Sequence, residues 1–163
     1  MSECLETSRL IPAPASEIFA LLCDPQGHVA IDASGMLQDA TGEPVTAVGD
    51  SFVVHMDREA LGDLPDWGRY DVTVRIEELE PDQLITWSIL GRIRPQIGHR
   101  YGYRLEPAEE GTRVTSIYDW SEARQDFKDN GVFPVISEAN LRATLGILDR
   151  TVRRGYPAAD ART

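Results

Sequence analysis

Residues 134–154 read PVISEANLRATLGILDRTVRR, and this stretch decides which kind of fold the chain adopts. Its apolar side chains recur at intervals of four, three and four residues, at Leu141, Leu145, Leu148 and Val152. This spacing places them on one face of a helix, so we predict a long helix over about Pro134–Arg154. A helix with such a stripe is stable only when another surface covers the stripe, and the preceding residues have to supply that surface.

Those preceding residues alternate between apolar and polar side chains, which is the period of a β-strand. The alternation predicts a first strand at residues 5–11 and six further strands, at residues 36–40, 50–56, 69–80, 83–90, 100–106 and 112–120. Short turns such as Glu80-Pro81-Asp82 join several of the strands, and a longer hairpin loop is predicted at residues 106–111. Strands joined this closely are antiparallel, because a parallel pair requires a long crossover.

Helical signals fall between the first two strands. Pro14 suits the first turn of a helix, and Ala15–Cys23 carries a broad apolar face. The pair Asp24-Pro25 stops that helix, and a second helix is predicted over Gln26–Ile31, weakened by Gly27. The predicted class is therefore α+β, with one antiparallel sheet, helices on one face and, where the sheet curves, space beneath the long helix.

The charge balance argues against two classes of partner. The chain has 163 residues, with 27 acidic and 16 basic side chains, and its formal net charge is −11. Nucleic acids and anionic membrane surfaces both bind clusters of cations, so we expect neither as a partner.

The cysteines and the hydropathy pattern predict a cytoplasmic protein. Cys4 and Cys23 are the only cysteines, too few for a disulfide framework. The first residues lack the basic and apolar pattern of a signal peptide, and no apolar run approaches the ~20 residues of a membrane span. We therefore expect no integral membrane association, and the sequence implies no cofactor.

Several phrases of the sequence resemble the START-like superfamily, also called SRPBCC or the polyketide cyclase/dehydrase and lipid-transport group. The phrases are IPAPA at 11–15, IFALLCDP at 18–25, GDSF at 49–52, YDV at 70–72, EPDQLITW at 80–87, YRLEP at 103–107 and GTRVT at 111–115. The resemblance extends from residue 5 to about residue 154, so residues 1–163 are expected to form a single START-like domain.

The resemblance implies a helix-grip fold. In this fold a curved antiparallel sheet of about six to seven strands wraps around the long C-terminal helix, with one or two short helices after the first strand. It also implies a cavity between sheet and helix that holds a hydrophobic or amphipathic small molecule. Members of the superfamily include lipid carriers, aromatase/cyclases and toxin-like proteins, so the fold by itself does not give the function.

Strand alternation selects the side chains that would face such a cavity. The predicted ligand-binding residues are Phe52, Val54, Tyr70, Val72, Val74, Trp87, Tyr101, Tyr103, Ser116 and Tyr118 from the strands and Leu141, Leu145 and Leu148 from the helix. The tyrosines and the tryptophan combine an apolar ring with a polar tip, which suits a mixed cavity. The alternative is that these side chains simply fill the hydrophobic core.

Two longer connections carry the candidates for a gate. In residues 57–68 the candidate is Trp67, and in residues 91–98 the candidates are Arg92 and Arg94. Under the resemblance such loops surround the cavity mouth, where these residues would gate it or contact the polar end of a ligand. The alternative is a pair of ordinary solvated hairpin loops.

Two residues are candidates for acid–base catalysis. His99 precedes a strand with two tyrosines, and a histidine beside a cavity is able to act as a general base. Glu138 lies one turn before Leu141 and would reach the cavity if it faces inward, whereas an exposed position on the helix is the alternative. The sequence contains no nucleophile motif and no phosphate-binding loop.

One set of residues has the spacing of metal ligands on a helix. Asp24, His28 and Asp32 are four residues apart and would share one helical face. The set begins at the helix-breaking pair Asp24-Pro25, so capping and surface roles are favoured. We therefore predict no metal site.

Three functions remain open at the level of the sequence. The first is a protein that binds a hydrophobic or amphipathic small molecule, lipid or polyketide-like, as a monomer or homodimer. The second is an enzyme that resembles polyketide aromatase/cyclases and uses acid–base groups in the cavity. The third is a toxin-like protein that interacts with another macromolecule, whose surface would have to be basic to meet the acidic one here.

Overall fold

The alternating stretches form one antiparallel sheet of seven strands in the computed structural model, which describes residues 2–62 and 68–156. The strands are β1 (Cys4–Ile11), β2 (Leu37–Thr41), β3 (Ser51–Asp57), β4 (Arg69–Glu80), β5 (Leu84–Leu90), β6 (Arg100–Ala108) and β7 (Gly111–Asp119). Their order in the sheet is β1-β7-β6-β5-β4-β3-β2. The helices are α1 (Ala15–Cys23), α2 (Pro25–Ile31), α3 (Gln125–Asp129) and α4 (Glu138–Arg153). The predicted α+β class with a helix-grip fold is confirmed.

The sheet is curved, and the pairing register is interrupted in two places, one of them on the long strand β4. β4 spans 12 residues and pairs with β3 along residues 69–75 and with β5 along residues 73–80. Its register with β5 shifts between Ile76 and Glu78, and the β2–β3 register shifts between Leu37 and Asp39. Such bulges bend a strand and increase its twist, so the sheet wraps around the helices on its concave face.

Helix α4 lies on this concave face through the predicted apolar stripe. The stripe residues are all buried: Leu141, Leu145, Leu148 and Val152. The helix begins at Glu138, four residues later than predicted, because the Ser137 side chain accepts a hydrogen bond from the Asn140 N–H (3.1 Å) and caps the first turn. Pro134 therefore lies in the segment that leads to the helix.

One member of the buried face of α4 is a carboxylate that the apolar pattern does not reveal. Asp149 is 3% exposed, and its two oxygens accept hydrogen bonds from Arg9 Nε (2.7 Å) and Arg153 Nε (2.6 Å). Burial alone would raise the pKa of Asp149, but the bonds and charges of the two arginines outweigh burial and hold the pKa below its ordinary value. Because Arg9 belongs to β1, this carboxylate joins α4 to an edge strand of the sheet.

Both predicted short helices are present, and α1 has the predicted bounds. Helix α2 begins at Pro25, and the Asp24 side chain accepts a hydrogen bond from the Gln26 N–H (3.1 Å). Gly27 lowers the helix propensity of α2 but serves its packing, because a Cβ at this position would lie 2.0 Å from the Leu21 carbonyl oxygen. Only glycine lets the backbones of α1 and α2 approach this closely.

Two connections differ from the prediction. β6 and β7 pair as far as Ala108 and Gly111, so Glu109 and Glu110 form a two-residue turn and the longer hairpin loop predicted at 106–111 is wrong. Helix α3 escapes prediction because its five residues have no apolar period and none of them is buried.

Among the helices of the described ranges, none combines the length and the apolar character required to cross a bilayer.

We expect Asp149→Asn to lower the free energy of unfolding by about 1–3 kcal/mol at pH 7, because charge-assisted hydrogen bonds to two arginines are weakened. The pKa of Asp149 is lower in the folded protein than in the unfolded chain, so the ionised carboxylate stabilises the fold. This stabilisation is fully present above the ordinary carboxyl pKa of about 3.9. That stability is lost as the pH falls through the lower pKa of the folded state. Urea unfolding at several pH values measures both effects.

Glu138→Gln is the matched control, because Glu138 forms an exposed i,i+4 ion pair with Arg142 on the same helix. The control should change the free energy of unfolding by less than about 0.5 kcal/mol. Equal effects of the two substitutions would contradict the anchoring role of Asp149.

Candidate functional site

A cavity of about 710 Å³ separates the concave face of the sheet from the first half of α4. Side chains of β3 to β7 form its floor, and Asn140, Leu141 and Thr144 of α4 cover it. The α2–β2 connection and the segments 91–97 and 132–136 complete the wall. Most of the lining side chains are aliphatic or aromatic, so the interior of the cavity is hydrophobic.

Most of the side chains selected from the sequence line this cavity. Those from the strands are Val54, Tyr70, Val72, Val74, Trp87, Tyr101, Tyr103 and Ser116. Leu141 lines it from α4, His99 lies just before β6, and Arg92 follows the end of β5. Strand alternation accounts for the strand residues, because residues two apart share one face of a strand.

Four of the predicted ligand-binding side chains lie in the core, outside the cavity wall: Phe52, Tyr118, Leu145 and Leu148. Leu145 and Leu148 belong to the part of α4 that packs into the main hydrophobic cluster, where no space remains beneath the helix. Phe52 packs against the His28 ring, with centroids 5.1 Å apart. Tyr118 is completely buried and stacks against Tyr101.

Of the remaining gate and acid–base candidates, two lie outside the cavity lining. Arg94 directs its guanidinium to carbonyl oxygens of its own loop, including that of Gly91, and does not line the cavity. Glu138 is exposed at the start of α4, where it pairs with Arg142 outside the cavity lining. Trp67 lies outside the described residues.

Several lining residues are not among those selected from the sequence. They are His28, Arg58, Gln96, Ile97, Val132, Val135 and Ile136. Their own sequence pattern does not identify them as lining residues, although the resemblance places the loops at 57–68 and 91–98 at the cavity mouth. Thr144 differs, since it lies three residues after Leu141 and so on the same face of α4, and Asn140 lies four residues before Thr144.

A row of aromatic rings begins at the floor of the cavity and continues into the core. Trp87, Tyr101 and Tyr118 lie opposite one another on β5, β6 and β7. The Trp87 and Tyr101 ring centroids are 6.2 Å apart, and those of Tyr101 and Tyr118 are 4.4 Å apart with planes inclined by only 5°. His28 meets Trp87 edge-on at 4.8 Å. Residues directly opposite in a sheet are spaced for such contacts, so the strand register builds the row.

His99 lines the cavity and is bonded to the buried end of this row. Its Nδ1 forms a 2.8 Å hydrogen bond with the Tyr118 hydroxyl, and the Val135 N–H donates a hydrogen bond to the same hydroxyl oxygen (3.4 Å). Burial lowers the pKa of His99 to about 4, so the ring is neutral at pH 7. Burial also raises the pKa of Tyr118 to about 12 and the pKa of Tyr101 well above its ordinary value, so both phenols keep their protons. A neutral imidazole bonded to a neutral phenol is able to accept and return a proton.

The three residues with metal-ligand spacing each have a different role. Asp24 caps α2, and Asp32 accepts hydrogen bonds from donors of the turn that follows it. His28 Nε2 lies 2.8 Å from the Leu22 carbonyl oxygen, and burial lowers the pKa of His28. Within residues 2–62 and 68–156, no group of three or more His, Cys, Asp or Glu side chains is arranged to hold a metal ion.

The loop at residues 91–98 is held against the segment that follows β7. The Arg124 N–H donates to the Ile97 carbonyl (2.9 Å), and the Arg124 guanidinium donates to the Pro95 carbonyl (2.8 Å). Gly98 has a φ of +88°, and a Cβ there would lie 3.0 Å from the Glu122 carbonyl oxygen. Glycine therefore permits the approach that positions this wall of the cavity.

No family model matches the chain. An uncharacterised protein of Mycobacterium tuberculosis H37Rv is 31% identical over 152 residues, and one of strain CDC 1551 is 30% identical over 152 residues. Each alignment covers 89% of this chain and 62% of the relative, so the chain spans less than two thirds of the length of these curated relatives.

Solved structures share the fold at lower sequence identity. The Aha1 dimer from Colwellia psychrerythraea has a TM-score of 0.62 and 17% identity, with 94% of this chain and 98% of that chain covered. An AHSA1-like protein from Aeromonas hydrophila has a TM-score of 0.59 and 15% identity, with 92% of each chain covered. DynU16, of the dynemicin biosynthetic locus, has a TM-score of 0.59 and 19% identity, over 95% of this chain and 49% of DynU16. At these identities the likeness establishes the fold alone.

We expect His99→Asn to make the stability of the protein less sensitive to acid. The folded state keeps His99 neutral to about pH 4, whereas the unfolded chain protonates it below about pH 6.5, so stability is complete above pH 6.5 and falls between these values. Between pH 7.5 and 5.5 the free energy of unfolding should fall by about 1 kcal/mol less in His99→Asn than in the unsubstituted protein. Urea unfolding at the two pH values measures this difference.

His55→Asn is the control for this titration, because His55 is partly exposed on the sheet between Thr41 and Asp71. His28 also has a lowered pKa and titrates in the same direction, so some acid sensitivity should remain in every variant. An unchanged pH dependence in His99→Asn would show that His99 is not held neutral.

Proposed function

We propose that this protein binds a hydrophobic or amphipathic small molecule, lipid or polyketide-like, in the cavity between the sheet and α4. The observation that carries the proposal is the open volume of about 710 Å³ inside a molecule of 163 residues. Protein interiors are otherwise close-packed, and an unfilled apolar space destabilises the fold. Ligand sites commonly enclose about 300–1,000 Å³, and this volume falls within that range.

The composition of the lining supports the same proposal. Ligand sites are mostly apolar, with a few polar groups that orient the ligand. Here the polar groups include the Tyr103 phenol, the Ser116 hydroxyl and His99, set among valines and aromatic rings. Burial raises the pKa of Tyr103 above its ordinary range, so its phenol stays a neutral hydrogen-bond donor. Such a wall accommodates an apolar body and one or two oxygen atoms.

The similar proteins are compatible with this proposal, but they do not identify the ligand. The two mycobacterial relatives are uncharacterised, and DynU16 comes from the dynemicin biosynthetic locus. That origin favours including polyketide-like molecules among the candidate ligands. A cytoplasmic location, and the choice between monomer and homodimer, stay predictions.

Native mass spectrometry of the freshly purified protein is the direct test. We expect a population with extra mass that corresponds to a co-purified small molecule, and we expect the protein to bind a fluorescent fatty acid that other apolar ligands displace. A protein without extra mass that also fails to bind the probe would refute the proposal.

Thr144→Trp should reduce binding of the fluorescent fatty acid at least about tenfold, because the indole would occupy the cavity from α4. Ala143→Trp is the matched control, since Ala143 is the preceding residue, is exposed and does not line the cavity. Both variants add the same side chain to the same helix, and circular dichroism verifies that each is folded. Equal binding by the two variants would place the probe elsewhere.

The second candidate function is acid–base catalysis of the polyketide aromatase/cyclase type. The observation that favours it is the His99–Tyr118 hydrogen bond at the wall of an apolar cavity, with the imidazole neutral at pH 7. We expect any turnover of a poly-β-ketone substrate to fall about 100-fold or more in His99→Asn and to be unchanged in the exposed Glu138→Gln. Turnover that survives His99→Asn would remove His99 from the mechanism.

A further inference from the structure

The charged side chains that line the cavity are few, and the positive ones lie together. Among the lining residues that the structure describes, the side chains that are charged at pH 7 are those of Arg58, Arg92 and Asp32. Arg58 directly follows β3, and Arg92 comes two residues after the end of β5. β4 runs between these strands, and its residue Tyr70 also lines the cavity.

Strand register brings the two arginines to the same corner. Tyr70 pairs with Met56, two residues before Arg58, and the Arg58 N–H donates to the Gly68 carbonyl (2.9 Å), which extends the β3–β4 ladder. From the other side the Arg92 guanidinium lies over the Tyr70 ring, 5.2 Å from its centroid. Both arginines therefore line the cavity near the start of β4, and Arg92 lies directly over the Tyr70 ring.

The carboxylate among the described lining residues, that of Asp32, is bonded within its own turn. Asp32 accepts hydrogen bonds from the Ser34 N–H (2.9 Å) and hydroxyl (2.6 Å) at one oxygen and from the Leu37 N–H (2.9 Å) at the other. Its charge acts on the Tyr103 phenol, whereas the charge of Arg58 acts on the Tyr101 phenol. The negative and positive groups thus influence different parts of the aromatic floor.

We propose that the ligand is an amphipathic anion whose carboxylate is bound by Arg58 and Arg92 and whose apolar body lies along the aromatic row. This inference rests on the proposed function and names the class of ligand. Guanidinium groups bind carboxylates through paired, charge-assisted hydrogen bonds. In a chain with a net charge of −11, Arg58 and Arg92 bring positively charged groups to the wall of an otherwise apolar cavity.

Three probes with the same alkyl chain test the charge requirement: dodecanoate, dodecanol and dodecyltrimethylammonium. Their affinities for the unsubstituted protein are measured at pH 7.5 by displacement of a neutral fluorescent apolar probe, below the concentrations at which they form micelles. We expect dodecanoate to bind about tenfold more tightly than dodecanol and the ammonium compound to bind most weakly. The advantage of dodecanoate should decrease as salt is added.

The arginines are tested by Arg58→Gln and Arg92→Gln. Each should weaken dodecanoate binding about five- to tenfold while changing dodecanol binding less than about twofold. Arg94→Gln is the matched control on the loop of Arg92, because the Arg94 guanidinium bonds to carbonyls of its own loop and does not line the cavity. The comparison of the three probes on the unsubstituted protein stands even if a variant fails to fold.

The outcomes separate this inference from the function on which it rests. Equal binding of dodecanoate and dodecanol, or tighter binding of the ammonium compound, would overturn the anionic ligand and leave small-molecule binding intact. Equal weakening of dodecanoate by Arg94→Gln would overturn the assignment to Arg58 and Arg92. If no probe binds and the purified protein carries no extra mass, both proposals fail.

Discussion

The cavity depends on how α4 is held over a curved sheet. Toward its C-terminal end, Leu145 and Leu148 pack into the main core and Asp149 bonds to Arg9 of β1, so helix and sheet are in direct contact. Near its start, Leu141 belongs to a smaller cluster with Tyr118, Trp120 and Ala123. Burial of apolar surface favours closing any gap between the layers. The two attachments and the bulged, bending β4 keep helix and sheet apart between the clusters, and that separation is the cavity.

The interior and the exterior of the molecule differ in charge. The net charge of −11 describes mainly the surface, whereas the cavity combines aromatic rings with neutral histidines and two arginines at one corner. Burial produces part of this difference, because it disfavours charged forms and so lowers the pKa values of His28 and His99. A ligand entering the cavity therefore meets a different electrostatic environment from the one that it meets at the surface.

Prediction from the sequence succeeded for the face of a strand or helix on which a side chain lies, whereas the ligand-binding role of these residues stays a prediction. Alternation identified Val72, Val74 and Trp87 as wall residues, and helical spacing identified the buried stripe of α4. It does not reveal the role of Asp149, because the arginine partners of this carboxylate lie on β1 and one helical turn away. It also treated Gly27 as a weakness of α2, since propensity does not register the approach of a second helix.

The sequence by itself determined the order of the strands and of every helix except α3, the antiparallel sheet and the helix face that must be buried. These properties follow from local periods and turn residues, which act over a few residues. Only the tertiary structure decided that Leu141 borders open space while Leu148, on the same stripe, is packed solid. Only the structure brought Arg58 and Arg92 to one corner, across 34 residues of chain. The reason is physical: curvature of the sheet and register between strands are properties of pairs of segments, and no single segment encodes them.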